Sequence, residues 1–135
     1  MRILAGILVA AALLQPAPVF AQGKTAASPA VQKEFDGFIA KFREALKAND
    51  AEAVAALTQL PFMGDDSVRD AAQFRAKAYP RDFTAKNRAC LQRTKPVYAV
   101  DGNKNDVYSV ICGGSIFTFT RTPAGFLFTD LDTND

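Results

Sequence analysis

The chain has 135 residues, with 16 Lys and Arg against 14 Asp and Glu, two cysteines and no histidine. A formal charge of +2, with the basic residues dispersed rather than blocked, gives no electrostatic case for nucleic acid or an anionic membrane surface. Without histidine, Ser-His-Asp and Cys-His nucleophilic arrangements are excluded, and the commonest neutral-pH base and metal ligand is missing.

Residues 1–21 read as a cleavable export signal. Arg2 supplies a positive start, and Ile3 to Leu14 form an apolar run of about a dozen residues, too short to cross a hydrocarbon core of about 30 Å. Val19 and Ala21 are the small residues that signal peptidase accepts, which places cleavage after Ala21. The competing reading is a retained membrane anchor. No cysteine stands near the cleavage site to carry a lipid, and there is no twin-Arg pair, so the signal is of the Sec type. The mature protein is expected to be periplasmic or secreted, with no stable membrane insertion after cleavage. Loss of Arg2 takes the formal charge from +2 to +1.

Residues 22–27 form a flexible spacer, and 28–135 a single domain. Ser28-Pro29 is an N-cap followed by Pro at the first helical position. Val31, Phe35, Phe38, Ile39, Phe42, Ala45 and Leu46 then make one helical stripe. Asn49 suits a left-handed helix end, and Asp50 caps a second helix from Ala51 to about Gln59. Pro61 ends that helix, and Leu60 to Met63 is expected to run extended. Ser67 with Asp70 is a variant capping box before a third helix over Val68–Ala78. Ala71, Ala72, Phe74 and Tyr79 are expected to face inward, and Pro80 to interrupt. Asp82 is expected to cap a further turn or two, reaching Leu91.

From Lys95 the period becomes that of strands: Pro96–Val100, Asp106–Cys112, Ser115–Arg121 and Phe126–Leu131, all with short connections and hence antiparallel. In the third strand Ile116, Thr118 and Thr120 share one face, and Phe117, Phe119 and Arg121 the other. Helices followed by a meander specify an α+β fold, with N-terminal helices packed on a curved antiparallel sheet of about four strands. In an oxidising compartment the pair Cys90 and Cys112 is expected to form a disulfide, closing a loop of about 22 residues; two buried thiols or a redox pair are the alternatives.

The segment FDGFIAKFREALKANDAEAVAALTQLPFM, with Phe38, Phe42, Ala45, Asn49-Asp50, Ala53, Val54 and Leu57, resembles the opening of nuclear transport factor 2-like proteins, the cystatin-like cone folds. The terminal aromatic meander is similar too, as is the Leu60-Pro61-Phe62 step of small exported bacterial proteins. The resemblance implies a cone-shaped domain whose relatives range from isomerases and dehydratases to binding modules. Enzymes of the ketosteroid isomerase kind use a carboxylate base with Tyr and Asp donors. In this chain Phe35, Phe38 and Phe42 stand where a Tyr donor is wanted. Tyr79, Tyr98, Tyr108, Asp101 and Asp130 are left, in no matching spacing, so no catalytic residue is assigned.

Asp101-Gly102-Asn103-Lys104-Asn105-Asp106 matches the first, third and fifth positions of a calcium loop. It lacks the sixth-position Gly and the twelfth-position Glu, and reads as a hairpin turn. No metal or cofactor is expected. Phe117, Phe119, Phe126 and Phe128 read as core, or as a pocket lining rimmed by Arg88, Arg93 or Arg121. The candidate pocket residues are Tyr79, Arg88, Tyr98 and Arg121. They suit a small apolar molecule with an anionic end. The reading is an exported non-catalytic module for a small apolar ligand or a protein partner. The alternatives are a lyase or isomerase on the same scaffold, and a periplasmic inhibitor or immunity-type protein. The oligomeric state is left open.

Overall fold

The computed structural model describes residues 26–134. The expected export signal, 1–21, and most of the expected spacer lie outside the described residues. Helix α1 (Pro29–Lys47) begins where Ser28 Oγ accepts the Val31 N–H at 3.3 Å, with Pro29 in the first turn. It buries the seven residues of its apolar stripe. Asn49 takes a φ of 50°, and the Asp50 carboxylate caps α2 (Ala51–Ala56) by accepting the Ala53 N–H at 3.0 Å. Among the described residues no helix is long and apolar enough to cross a membrane.

Helix α2 ends at Ala56, three residues short of the expected Gln59. The chain is pulled out of the helix by the sheet. Phe128 donates its N–H to the Leu57 carbonyl at 2.8 Å, Gln59 returns an N–H to the Phe128 carbonyl at 2.8 Å, and Thr58 forms a lone parallel bridge with Phe128. The extended pairing thus falls at Thr58, not over Leu60–Met63, where a cis Leu60–Pro61 bond turns the chain.

The third helix also differs from expectation. Asp70, not Ser67, is its cap, accepting the Gln73 N–H at 2.8 Å. The hydroxyl of Ser67 donates instead to Asp65 Oδ1 at 2.6 Å. Helix α3 (Ala71–Gln73) passes into a π-helical turn (Phe74–Ala78) and then α4 (Tyr79–Asp82). Pro80 therefore sits within the helical run. It has no N–H for the carbonyl four residues back, and its ring crowds that carbonyl in a regular helix; the wider turn ahead of it relieves both. Against expectation Ala72 is exposed, while Ala78, one turn on from Phe74, is buried. Thr84, not Asp82, caps α5 (Ala85–Arg93) by accepting the Asn87 N–H at 3.2 Å.

Strands β1 (Val97–Val100), β2 (Asp106–Cys112), β3 (Ser115–Thr122) and β4 (Gly125–Thr133) form one antiparallel sheet in chain order. The helices pack on one face of it, so the α+β class is as expected. Tyr108, Val110, Cys112, Phe117, Phe119, Phe126 and Phe128 are buried on that face. The four phenylalanines of β3 and β4 are core: each is at most 4% exposed, and Phe126 alone of them also edges a hollow beside α1. Phe35 stacks on Tyr108 with centroids 3.7 Å apart, and Phe42 meets Phe119 edge-on at 5.0 Å. On the other face, β1 to β3 present Val97, Ala99, Val107, Ser109, Ile111, Ile116, Thr118 and Thr120, with no charged residue. Val97 is 61% exposed and Ile111 49%.

Cys90 of α5 is bonded to Cys112 of β2, with Cα atoms 5.9 Å apart. The bridge ties the last helix to the sheet just before β1 begins. Replacing both cysteines by alanine is expected to lower unfolding stability by about 3 kcal/mol in urea denaturation. A loss well below 1 kcal/mol would mean that packing alone holds α5. Phe42→Ala, at a fully buried position, is expected to cost roughly 3–5 kcal/mol in the same assay.

Candidate functional site

Where β1 passes α1, the aromatic seam between helix and sheet runs out and leaves a groove of 420 Å³. Phe35, Ile39, Tyr98 and Tyr108 line it, Tyr98 being the one of the four that is more than slightly exposed. One wall is α1, through Gln32, Asp36 and Arg43; the other is the start of the sheet, through Lys95, Pro96 and Tyr98. The α1 residues belong to one row, because side chains three, four and seven apart lie on a common side of a helix.

The polar groups are held in place. Tyr108 donates its hydroxyl to Gln32 Oε1 at 2.8 Å, and Gln32 Nε2 donates to Asp36 Oδ1 at 2.8 Å. Arg43 does not project freely. Its Nε donates to the Leu91 carbonyl at 2.9 Å and its Nη2 to the Thr94 carbonyl at 2.8 Å, which clamps α1 to the end of α5. Lys95, the next residue, is exposed and has no hydrogen-bond or ion-pair partner among the described residues.

Of the four pocket residues expected from sequence, only Tyr98 lines this groove. Its hydroxyl donates to Asp106 Oδ1 at 2.6 Å, and that bond, with desolvation and the carboxylate charge, pushes its pKa up to about 12. Arg121 lines a separate polar depression of 440 Å³ with Glu34, Lys104, Asn105 and Asp106. There it donates to Glu34 Oε2 at 2.9 Å and lies 3.8 Å from Asp106 Oδ2. Asp106 therefore links Tyr98 to Arg121, although the two face different hollows. Tyr79 is 7% exposed and donates to Asn49 Oδ1 at 2.8 Å; burial raises its pKa. Arg88 donates to the Phe83 carbonyl at 2.7 Å. Neither Tyr79 nor Arg88 lines the groove or the Arg121 depression.

The turn at Asp101 uses its carboxylate internally. Oδ1 accepts the N–H groups of Asn103 and Asn105 at 2.9 and 2.8 Å, and Oδ2 accepts Asn105 Nδ2 at 3.0 Å. These bonds, above all those from Asn105, lower its pKa. Among the described residues no group of three or more His, Cys, Asp and Glu is placed to hold a metal ion.

A third hollow, of 460 Å³, is lined by Phe62, Met63, Asp65, Arg81, Asp82, Asp130 and Asp132. Arg81 bonds the Asp65 carboxylate at 2.8 Å and pairs both its Nε and Nη2 with Asp82. Hydrogen bonds from Ser67 and Arg81 bring the Asp65 pKa down to about 2. Burial, aided by the neighbouring Asp132 charge, pushes that of Asp130 up.

The groove residues Gln32, Asp36, Arg43, Lys95 and Pro96 were not foreseen from sequence. The only signal for them is the row that Gln32, Asp36 and Arg43 make beside the apolar stripe. That row acquires meaning once the side on which β1 lies is known. Compared with known family models, curated proteins and solved structures, the chain matches none.

Two titrations follow from these environments. The Tyr98 phenol is held protonated by Asp106, so the stability it contributes is present below about pH 10 and lost as pH rises toward 12. Absorbance titration is expected to show a last tyrosine step near pH 12 that moves down in Asp106→Asn; an unmoved step would disconnect the pair. The Asp65 contribution is present above about pH 4 and lost as pH falls toward 2. Urea midpoints of Asp65→Asn and the wild type are therefore expected to converge at pH 2 and to separate at pH 5, the variant being the less stable.

Proposed function

We propose that the protein is an exported, non-catalytic binding module that takes a small apolar molecule with an anionic end in the α1–β1 groove, on a scaffold related to the nuclear transport factor 2-like cones. The kinship and the cone shape rest on the order of helices and meander together with the phenylalanine pattern of α1. Export rests on the N-terminal sequence, and the Cys90–Cys112 disulfide suits an oxidising compartment.

The observation that carries the binding reading is the juxtaposition in the groove. Aromatic and aliphatic surface from Phe35, Ile39, Tyr98 and Tyr108 lies beside Lys95, whose ammonium has no partner among the described residues. Ligand sites combine such apolar surface with a few convergent polar groups, and 420 Å³ is within their usual range. A non-catalytic role is supported by the state of the hydroxyls. Tyr79, Tyr98 and Tyr108 each donate to a fixed protein acceptor, whereas a tyrosine that stabilises a developing oxyanion must direct its proton at the substrate. An interaction module would instead use the uncharged outer face of the sheet around Val97 and Ile111.

Fluorescence titration with 8-anilinonaphthalene-1-sulfonate tests the reading, since the dye is apolar with one anionic end. Saturable one-to-one binding is expected, at least tenfold weaker in Lys95→Glu with an unchanged circular dichroism spectrum, and unaffected by Ile111→Lys on the outer face. Absence of saturable binding, or a Lys95→Glu variant that binds as the wild type does, would sink it.

A further inference from the structure

The groove carries charge of both signs at separated places. Asp36 and Arg43 are seven residues apart on α1, which sets them about 10 Å apart along the helix axis. Asp36 is exposed, and one of its oxygens accepts from Gln32; the other has no partner among the described residues. Arg43 marks the opposite end. It bonds the Thr94 carbonyl, so the free ammonium of the adjoining Lys95 belongs to the same positive end. The groove therefore offers an anion at one end, cations at the other, and apolar surface between them.

Resting on the binding reading above, we infer that the ligand carries an amine as well as the anionic group, and that it is a short peptide with free ends, about three residues long. Its amino terminus pairs with Asp36 and its terminal carboxylate with Lys95. Three extended residues span roughly 10 Å, the separation of the two charged ends. The surface between suits one apolar side chain packed on Phe35, Tyr98 and Tyr108.

The hydrogen-bonding character of the groove favours a peptide over a plain amphiphilic acid. The hydroxyls of Tyr98 and Tyr108 have their hydrogens engaged by Asp106 and Gln32, so toward any further partner they act as acceptors. Peptide N–H groups are donors of the kind these oxygens accept. The wall facing α1 leads into β1, which has a strand neighbour on one side only. Among the described residues its second edge has no strand partner, the kind of edge to which extended peptides add in other proteins.

Calorimetry on the whole mature protein with Ala-Phe-Ala, its N-acetylated form and its C-terminal amide tests the inference, alongside displacement of the naphthalene sulfonate dye. The free-ended peptide is expected to bind one-to-one and to displace the dye. N-acetylation and Asp36→Asn are each expected to weaken binding at least tenfold. The two together are expected to cost no more than either alone. Amidation is expected to weaken binding by a similar factor, lost in Lys95→Glu. If the acetylated peptide binds as well as the free one, or if no peptide displaces a dye that itself binds, the amine and the peptide are wrong while the groove reading stands. If neither dye nor peptide binds, both readings fall.

Discussion

The contact on which the rest of the molecule depends is the aromatic seam between α1 and the sheet. Phe35, Phe38 and Phe42 lie on one side of the helix and meet Tyr108, Phe119, Phe126 and Phe128 across the interface. Rings of this size dominate the burial of a small domain, and their edge-to-face and stacked geometries fix the helix rotation as well as its position. Once α1 is so rotated, Gln32, Asp36 and Arg43 are committed to its shoulder. The groove is what remains where the seam stops. β1 contributes Tyr98, which is half-buried and packs on Tyr108 with centroids 5.3 Å apart.

A second set of bonds fixes the far wall. Arg43 donates to two carbonyls at the end of α5, and Gln92 Nε2 donates back to the Arg43 carbonyl at 2.6 Å. The disulfide holds the same helix to β2, and the Cys90 sulfur lies 3.2 Å from the Thr94 hydroxyl. Helix, sheet and connecting turn are thus pinned to one another within a few residues of Lys95 and Pro96. A site with walls pinned in this way loses little conformational freedom when it fills, and less of the contact energy goes into ordering it.

How far the sequence discloses this depends on the range of the interaction. The α1 stripe, the Asp50 cap, the Cys90–Cys112 pair and strand β2 are legible because each follows from local periodicity, a cap signal or the count of cysteines. The early end of α2 is not, since it comes from a backbone pair between Leu57 and Phe128, seventy residues on. The burial of Val68 and Phe83 and the π-helical turn are hidden for the same reason: sequence places Pro80 but not the widened turn that admits it. In the groove, Tyr98 is legible as an aromatic on a strand. Asp36 and Lys95 are ordinary surface charges until the fold sets one at each end of a single hollow.

The proton arrangement of the groove gives it a direction. Tyr98 donates its hydroxyl to Asp106, which also lies beside Arg121, and Arg121 in turn donates to Glu34. Tyr108 donates its hydroxyl to Gln32, whose amide N–H donates to Asp36. Each hydroxyl thus has its hydrogen engaged and keeps only lone pairs for a further partner. Asp36 adds a further acceptor at the same end, where Gln32 also keeps one amide N–H. Lys95 and the remaining Arg43 nitrogen are the donors at the other. In the proposed groove, a ligand that brings donors can bond the tyrosine oxygens, which a ligand with acceptors alone cannot. A fatty or aromatic acid satisfies Lys95 and leaves the tyrosine oxygens and Asp36 to water. A ligand with an amine at one end and N–H groups along its length satisfies them all.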